Sequence, residues 1–187
     1  MKRTGFSNKG DWKGFKKPTK GLRRAKFGVI KPKVRITKPK RELMPNRVKR
    51  AKKELVELSH TFIRKRDGIN GEIKGYCFDC GAYAEGQHFE CGHFKSDSTG
   101  GALLRYHPHN MHGQASGCNM AFSQERVKID YTLKMLEKYG LEYVNKLRNM
   151  KPNMQFKADI LFYENMIVLY KYGNEENIVK YLESLTV

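Results

Sequence analysis

Acidic side chains are almost missing from the first fifty residues. Asp11 and Glu42 stand there alone against 19 lysines and arginines, whereas residues 51–187 carry 18 basic and 17 acidic side chains. Nearly the whole net charge of +18 therefore lies in an N-terminal arm. A block that cannot neutralise itself needs a polyanion to condense on, DNA or RNA before an anionic membrane, because no amphipathic face accompanies the charge. Long apolar runs are missing too. None approaches the roughly 18 residues that span a bilayer, and no apolar stretch follows the charged N-terminus as a secretory leader requires. A cytoplasmic protein without a membrane partner is expected. Cysteine is scarce, four residues in 187, and in a reducing compartment four thiols point to metal ligation rather than disulfides.

Residues 1–45 also lack any sustained period of 2 or 3.6. They mix Lys, Arg and Gly with four prolines and scattered aromatics. A disordered basic arm is expected, with Lys16, Lys17, Arg23 and Arg24 as phosphate contacts and Trp12 and the phenylalanines stacking on bases or docking the arm. Residues 46–187 read as one domain: a basic helix over 46–68, a metal-rich core over 69–123 and a helical cap over 124–187. Asn46 is a candidate N-cap, and Val48, Ala51, Leu55, Leu58 and Phe62 mark the helix stripe from about 47 to 66. Arg50, Lys53, Arg64 and Arg66 lie on its basic side as candidate nucleic-acid contacts. Short extended pieces are expected over 82–85 and 88–94. Helices follow from a Ser123 cap to Tyr139 with Gly140 as the stop, then near 141–149, 156–171 and 175–185. Their apolar stripes are most simply core, although the C-terminal helices would also serve a homodimer.

The chemistry concentrates between Cys77 and Asn119. Cys77-Phe78-Asp79-Cys80 is a Cys-x-x-Cys on a turn, a spacing that lets two thiolates converge on one tetrahedral zinc. Cys118 is the third ligand. The fourth is open between Cys91, which we favour, and His112, with His88 and His109 behind them, because Ala115 stands where a second Cys-x-x-Cys would put a cysteine. A Gly-His (Gly92-His93), an isolated Asn110 and a Cys-Asn (Cys118-Asn119) follow in the order of a one-metal nuclease of the His-Asn-His type. Phosphodiester hydrolysis needs a base for the attacking water, a divalent cation for the charge that builds on phosphorus, and a group that fixes the base. His93 suits the first role. Asn110 would orient it or tie down its loop. Asn119 offers an amide oxygen to Mg²⁺ or Mn²⁺, which take hard oxygen ligands. Arg105 would grip a phosphate.

These pieces, in order, resemble the NinG (Rap) recombination proteins of lambda-like phages. The matching residues are Arg64 to Gly68, Cys77 to Gly81, Cys91 to Phe94, Arg105, Asn110, His112 to Gln114, Cys118-Asn119 and Tyr139-Gly140. The resemblance implies action on branched DNA in phage recombination, alongside other recombination proteins in the host cytoplasm. It also implies a core similar to the treble-clef, ββα-metal (HNH-like) nucleases, including the phage recombination endonuclease seven. On it, His93 is the general base, Asn119 a metal ligand, and Cys77, Cys80 and Cys118 hold structural zinc. Gly92 departs from the pattern, since many such nucleases place a metal-binding Asp there; Glu90 or Asp97 could replace it. The expectation is an α+β fold, a zinc-stapled treble-clef/ββα-metal core with flanking helices. The expected function is metal-dependent endonucleolytic cleavage of Holliday junctions and D-loops. The rivals are a non-catalytic branched-DNA-binding protein and an RNA-associated zinc protein.

Overall fold

In the computed structural model the described residues are 43–95 and 97–187. They belong to one compact unit, Lys40–Val187. Lys16, Lys17, Arg23 and Arg24, with the arm up to residue 42, lie outside the described residues.

Helix α1 runs Met44–Arg66. Pro45 occupies its first turn, where a missing N–H leaves nothing unpaired and a fixed φ already suits the helix. That moves the start ahead of the expected cap: Leu43 holds the cap position, and Asn46 and Arg47 both donate backbone N–H bonds to its carbonyl, at 3.0 and 3.2 Å. Asn46 is thus a helix residue and no cap. Every fourth side chain, Ala51, Leu55, Ser59 and Ile63, is buried. Against this stripe packs α6, Ile160–Tyr172, through Phe162, Tyr163, Met166, Ile167 and Tyr170. Asp159 caps α6 by accepting from the Phe162 N–H at 3.1 Å. Asn174 caps α7, Glu175–Ser184, in the same way, and Ile178 and Leu182 of α7 close this first core.

Two antiparallel hairpins carry the site. Strand β1 is Lys74–Tyr76 and β2 is Tyr83–Glu85, with Gly75 opposite Ala84. Strand β3 is Phe89–His93 and β4 is Met111–Ala115, with Cys91 opposite Gly113 and Gly92 opposite His112. The fold is therefore α+β with small sheets. Side chains alternate along a strand, so Glu90, Gly92, His112 and Gln114 share one face of the second hairpin. Phe89, Cys91, His93, Met111 and Ala115 share the other. Helix α2, Asp97–Arg105, bent at Gly101, bridges the two strands, and the short α3, Ser116–Met120, follows β4 directly.

Helices α4, Glu125–Tyr139, and α5, Leu141–Asn149, build a second core with Phe94 and Leu104 around Tyr131, Met135, Val144 and Leu147. Gln124, and not Ser123, holds the cap position of α4, because a 3-10 turn over Ala121–Ser123 delays the helix. Gly140 ends α4 at φ 79, a left-handed value that a β-carbon resists. Among the described residues no helix is long and apolar enough to cross a membrane.

Candidate metal centre and hydrolytic site

The turn after β1 is drawn tight by two backbone bonds, Cys77 N–H to the Ala82 carbonyl at 2.8 Å and Gly81 N–H to the Cys77 carbonyl at 2.9 Å. It presents Cys77 and Cys80 side by side, and α3 brings Cys118 to them. The three sulfurs lie within 4.8 Å of one another, Cys118 Sγ being 3.4 Å from Cys80 Sγ. Tetrahedral thiolates at a Zn–S distance of 2.3 Å sit about 3.8 Å apart, so this trio fits zinc. The backbone at Ala82 holds the Cys80 thiol below its ordinary pKa, while burial and the neighbouring thiols push Cys118 up to about 12. A divalent cation reverses that penalty by taking the thiolate as a ligand.

The fourth ligand expected from the sequence does not join them. Cys91 points from the other face of β3 into the α1–α6 core, among Leu55, Ile63 and Met111. His112 is fully buried and engaged elsewhere: Arg66 Nη2 lies 2.9 Å and Asp67 Oδ2 3.2 Å from its Nδ1, and the Tyr139 hydroxyl lies 3.2 Å from its Nε2. Strand alternation is the reason in the first case, and a prior network in the second.

His93 closes β3. Its Nε2 lies 3.0 Å from the Arg105 carbonyl, an acceptor only, so Nε2 carries a proton and points it there. The His60 ring stands edge-on to it at 5.7 Å. Asn110 does not reach the imidazole but ties down the loop. Fully buried, it accepts from the Lys95 N–H at 2.9 Å and donates to the carbonyls of Lys95 and Leu104 at 3.1 and 2.9 Å. The Arg105 guanidinium lies 5.7 Å over the Tyr106 ring.

On the opposite face, Asn119 Nδ2 donates to Glu90 Oε2 at 2.6 Å. This carboxylate, two residues before Gly92, supplies an anionic oxygen beside the expected metal-binding amide. Position 92 itself has no room for one. A β-carbon there would meet Gln114 Oε1 at 1.2 Å, so glycine is the residue that fits under the glutamine. Gln114 is fully buried and donates to Asp79 Oδ2 at 2.6 Å. Burial pushes the Asp79 carboxyl up to about 6, and the bond from Gln114 pulls the other way. Hard oxygen donors at Glu90 and Asn119 suit Mg²⁺ or Mn²⁺.

Among the expected nucleic-acid contacts on α1, Arg50 and Lys53 are exposed. Arg64 donates to the Gly86 carbonyl. Arg66 is a correction. Its guanidinium is buried against Asp67, with both carboxylate oxygens taken at 2.7 and 2.9 Å, and also reaches Glu175 at 2.7 Å and the carbonyls of Pro108 and Met111 at 3.0 and 2.8 Å. It staples α1 to β4 and α7 and has no face to offer a phosphate. Burial opposes the charges of both partners, but the bonds from His112 and Arg66 outweigh it and hold the Asp67 carboxyl far below its usual range. Removing one member leaves an uncompensated buried charge, so Asp67→Ala should cost roughly 3–5 kcal/mol, measured as a shift in the urea midpoint. A loss under about 1 kcal/mol would place Arg66 among ordinary surface ion pairs.

Stability should also fall with acid from near neutrality. Burial lowers the pKa of His107 to about 3 and of His112 to about 4. The unfolded chain binds those protons below about pH 6.5, and the fold refuses them. Each histidine therefore removes up to about 1.4 kcal/mol per pH unit between 6.5 and 4. Asp79 runs oppositely, its retained proton stabilising the fold as pH drops below 6. Asp67 and Glu175, both depressed, add their loss only below about pH 4. Two histidines outweigh one aspartate. Urea midpoints at pH 7 and 5 check the sign, and a midpoint that rises on acidification excludes it.

Sequence reasoning anticipated neither the Arg66–Asp67–His112 staple nor the Asp79–Gln114 pair. The run Arg64 to Gly68 was a signal for the first, but charge alone reads as a solvated face. No curated protein and no solved structure matches this chain. The sequence model of one family, described as bacteriophage lambda NinG protein, matches residues 12–176. That span covers the three-thiol turn, the second hairpin and most of the helical cap, and the chain belongs to the NinG family.

Proposed function

We propose that this protein is a metal-dependent endonuclease of phage recombination, acting on branched DNA such as Holliday junctions and D-loops through an HNH-like, ββα-metal centre. Its family places it with phage recombination. The observation that carries the nuclease reading is the state of His93. The carbonyl of Arg105 fixes its proton on Nε2, and Asn110 locks the loop from which that carbonyl comes. An imidazole whose ring is fixed in place is preorganised for proton transfer with water. Glu90 and Asn119 would hold Mg²⁺ or Mn²⁺. Such a cation supplies charge neutralisation at the phosphorane and the leaving 3′ oxygen. Arg105, whose carbonyl holds His93, would steady a phosphate with its side chain, and zinc at Cys77, Cys80 and Cys118 would keep the first turn and α3 together. Arg50 and Lys53, with the arm's Lys16, Lys17, Arg23 and Arg24, would supply sequence-independent affinity. Six such contacts imply a roughly 10³-fold loss of affinity between 50 and 200 mM salt.

One observation favours a second reading, a junction-binding protein that does not cut. His93 and the Glu90–Asn119 pair lie on opposite faces of β3, so base and cation are not yet on one phosphate. A labelled four-way junction incubated with the protein and Mg²⁺ or Mn²⁺ separates the two. Nicks near the branch support the nuclease. Tight binding with no product under either metal leaves the binding protein. A preference for structured RNA overturns both.

A further inference from the structure

The chain's four cysteines and six histidines all fall among the described residues. Among the described residues, Cys77, Cys80 and Cys118 alone come within 4.8 Å of one another as a ligand set. We propose that this centre holds its zinc through three thiolates and leaves the fourth coordination place to an exogenous donor, water at rest and a nitrogen or sulfur base when one is offered. The proposal rests on the reading that the three thiols bind zinc, and goes beyond it to the ligand the protein does not supply.

Four observations carry it. Ala115, three residues before Cys118 where a knuckle would hold its other thiol, offers a methyl group with no lone pair. Cys91 leaves β3 on the face opposite α3 and is packed in the α1–α6 core. Two of the candidate histidines are committed, the buried His112 to Arg66 and Asp67, and the half-buried His109 to Tyr143 at 2.6 Å and Glu175 at 3.4 Å, and no other described histidine joins the three sulfurs. Asp79, between the two cysteines of the turn, is buried toward Gln114 and spends Oδ2 on it. The sulfur shell is meanwhile open to solvent at Cys80, which is exposed, and at Cys118, which is half-buried. Zinc closes a tetrahedron, and a site with three protein ligands and solvent access keeps an exchangeable position. This centre has the ligand count of a reactive zinc site at the place where its fold would hold a sealed structural one.

X-ray absorption on the purified, zinc-loaded full chain should show three sulfurs and one lighter atom around the metal. Ala115→Cys should raise the count to four sulfurs, and Cys91→Ser should leave it at three. With Co²⁺ in place of zinc, imidazole should shift the visible absorption of the native protein and leave that of Ala115→Cys unchanged. Four sulfurs in the native protein, falling to three in Cys91→Ser, overturn the proposal while the zinc reading stands. A native spectrum indifferent to imidazole also overturns it, since a carboxylate of the chain then closes the shell. A protein that takes up no zinc removes the reading beneath it. If Ala115→Cys fails to fold, the native and Cys91→Ser spectra decide the matter.

Discussion

His93→Ala should lower junction cleavage by roughly 10²- to 10⁴-fold, the usual contribution of a positioned general base, with junction affinity unchanged. The two effects separate because the side chain is half-buried at the end of β3 and its hydrogen bond to the Arg105 carbonyl fixes its own ring. The loop it adjoins is held independently by Asn110. Losing the imidazole therefore removes a proton acceptor without removing the scaffold. Single-turnover cleavage with saturating Mg²⁺ is the measurement, beside a gel shift in EDTA. His93→Gln sharpens it: it restores a donor near the Arg105 carbonyl but no base, and should stay as slow as alanine. Native-like cutting by either variant would falsify the assignment. Equal loss of cutting and of binding would make His93 a structural residue.

Stripping zinc should have the second large effect, and a local one. Structural zinc contributes on the order of 10–16 kcal/mol of apparent binding free energy at neutral pH in small zinc domains. Here that energy falls on a segment poor in other support. Two-stranded hairpins are marginal alone, and β1–β2 pairs only three residues on each strand. The α1–α6–α7 core contains none of the three thiol ligands. Chelation should therefore melt the first hairpin and α3 while most helix survives. Amide hydrogen exchange locates the change: protection at 74–85 and 116–120 is lost in EDTA, and protection in α1 and α6 is kept. Cys77→Ser should reproduce the pattern without chelator. Protection that stays uniform across both states would mean the turn stands without metal.

Much of this arrangement was legible in the sequence, for identifiable reasons. Ala51 and Leu55 announced the buried side of α1 by their spacing, and Gly140 announced the end of α4. Where an amphipathic period is broad it says less. Ile129 and Leu133 of α4 are apolar, yet both are more than half exposed, because the Tyr131–Met135 side is the one packed into the core. Cys77, Cys80 and Cys118 could be grouped because a turn and a helix start leave thiols little freedom. Cys91 misled, since its distance along the chain from Cys80 says nothing about which face of β3 it leaves from. Arg66 misled for a related reason. A guanidinium among lysines reads as surface, and only the fold reveals the carboxylates of Asp67 and Glu175 and the two carbonyls waiting for it. Gln114 stood in the matching run His112 to Gln114, but nothing in the sequence showed that it fills the space Gly92 leaves.

The staple at Arg66 also sets an order of events in time. Its partners lie next to it, 42 and 45 residues on, and 109 residues on at Glu175. Bringing the last one in closes a loop whose entropy grows to roughly 4 kcal/mol for a chain of that length. A ribosome delivers α1 well before α7. Until then the guanidinium has only part of its counter-charge, and the first helix waits unsecured while the thiol turn and both hairpins are already outside the tunnel. A product released short of α7 would keep the three thiols, both hairpins and His93 and still lack the carboxylate that completes the seating of α1.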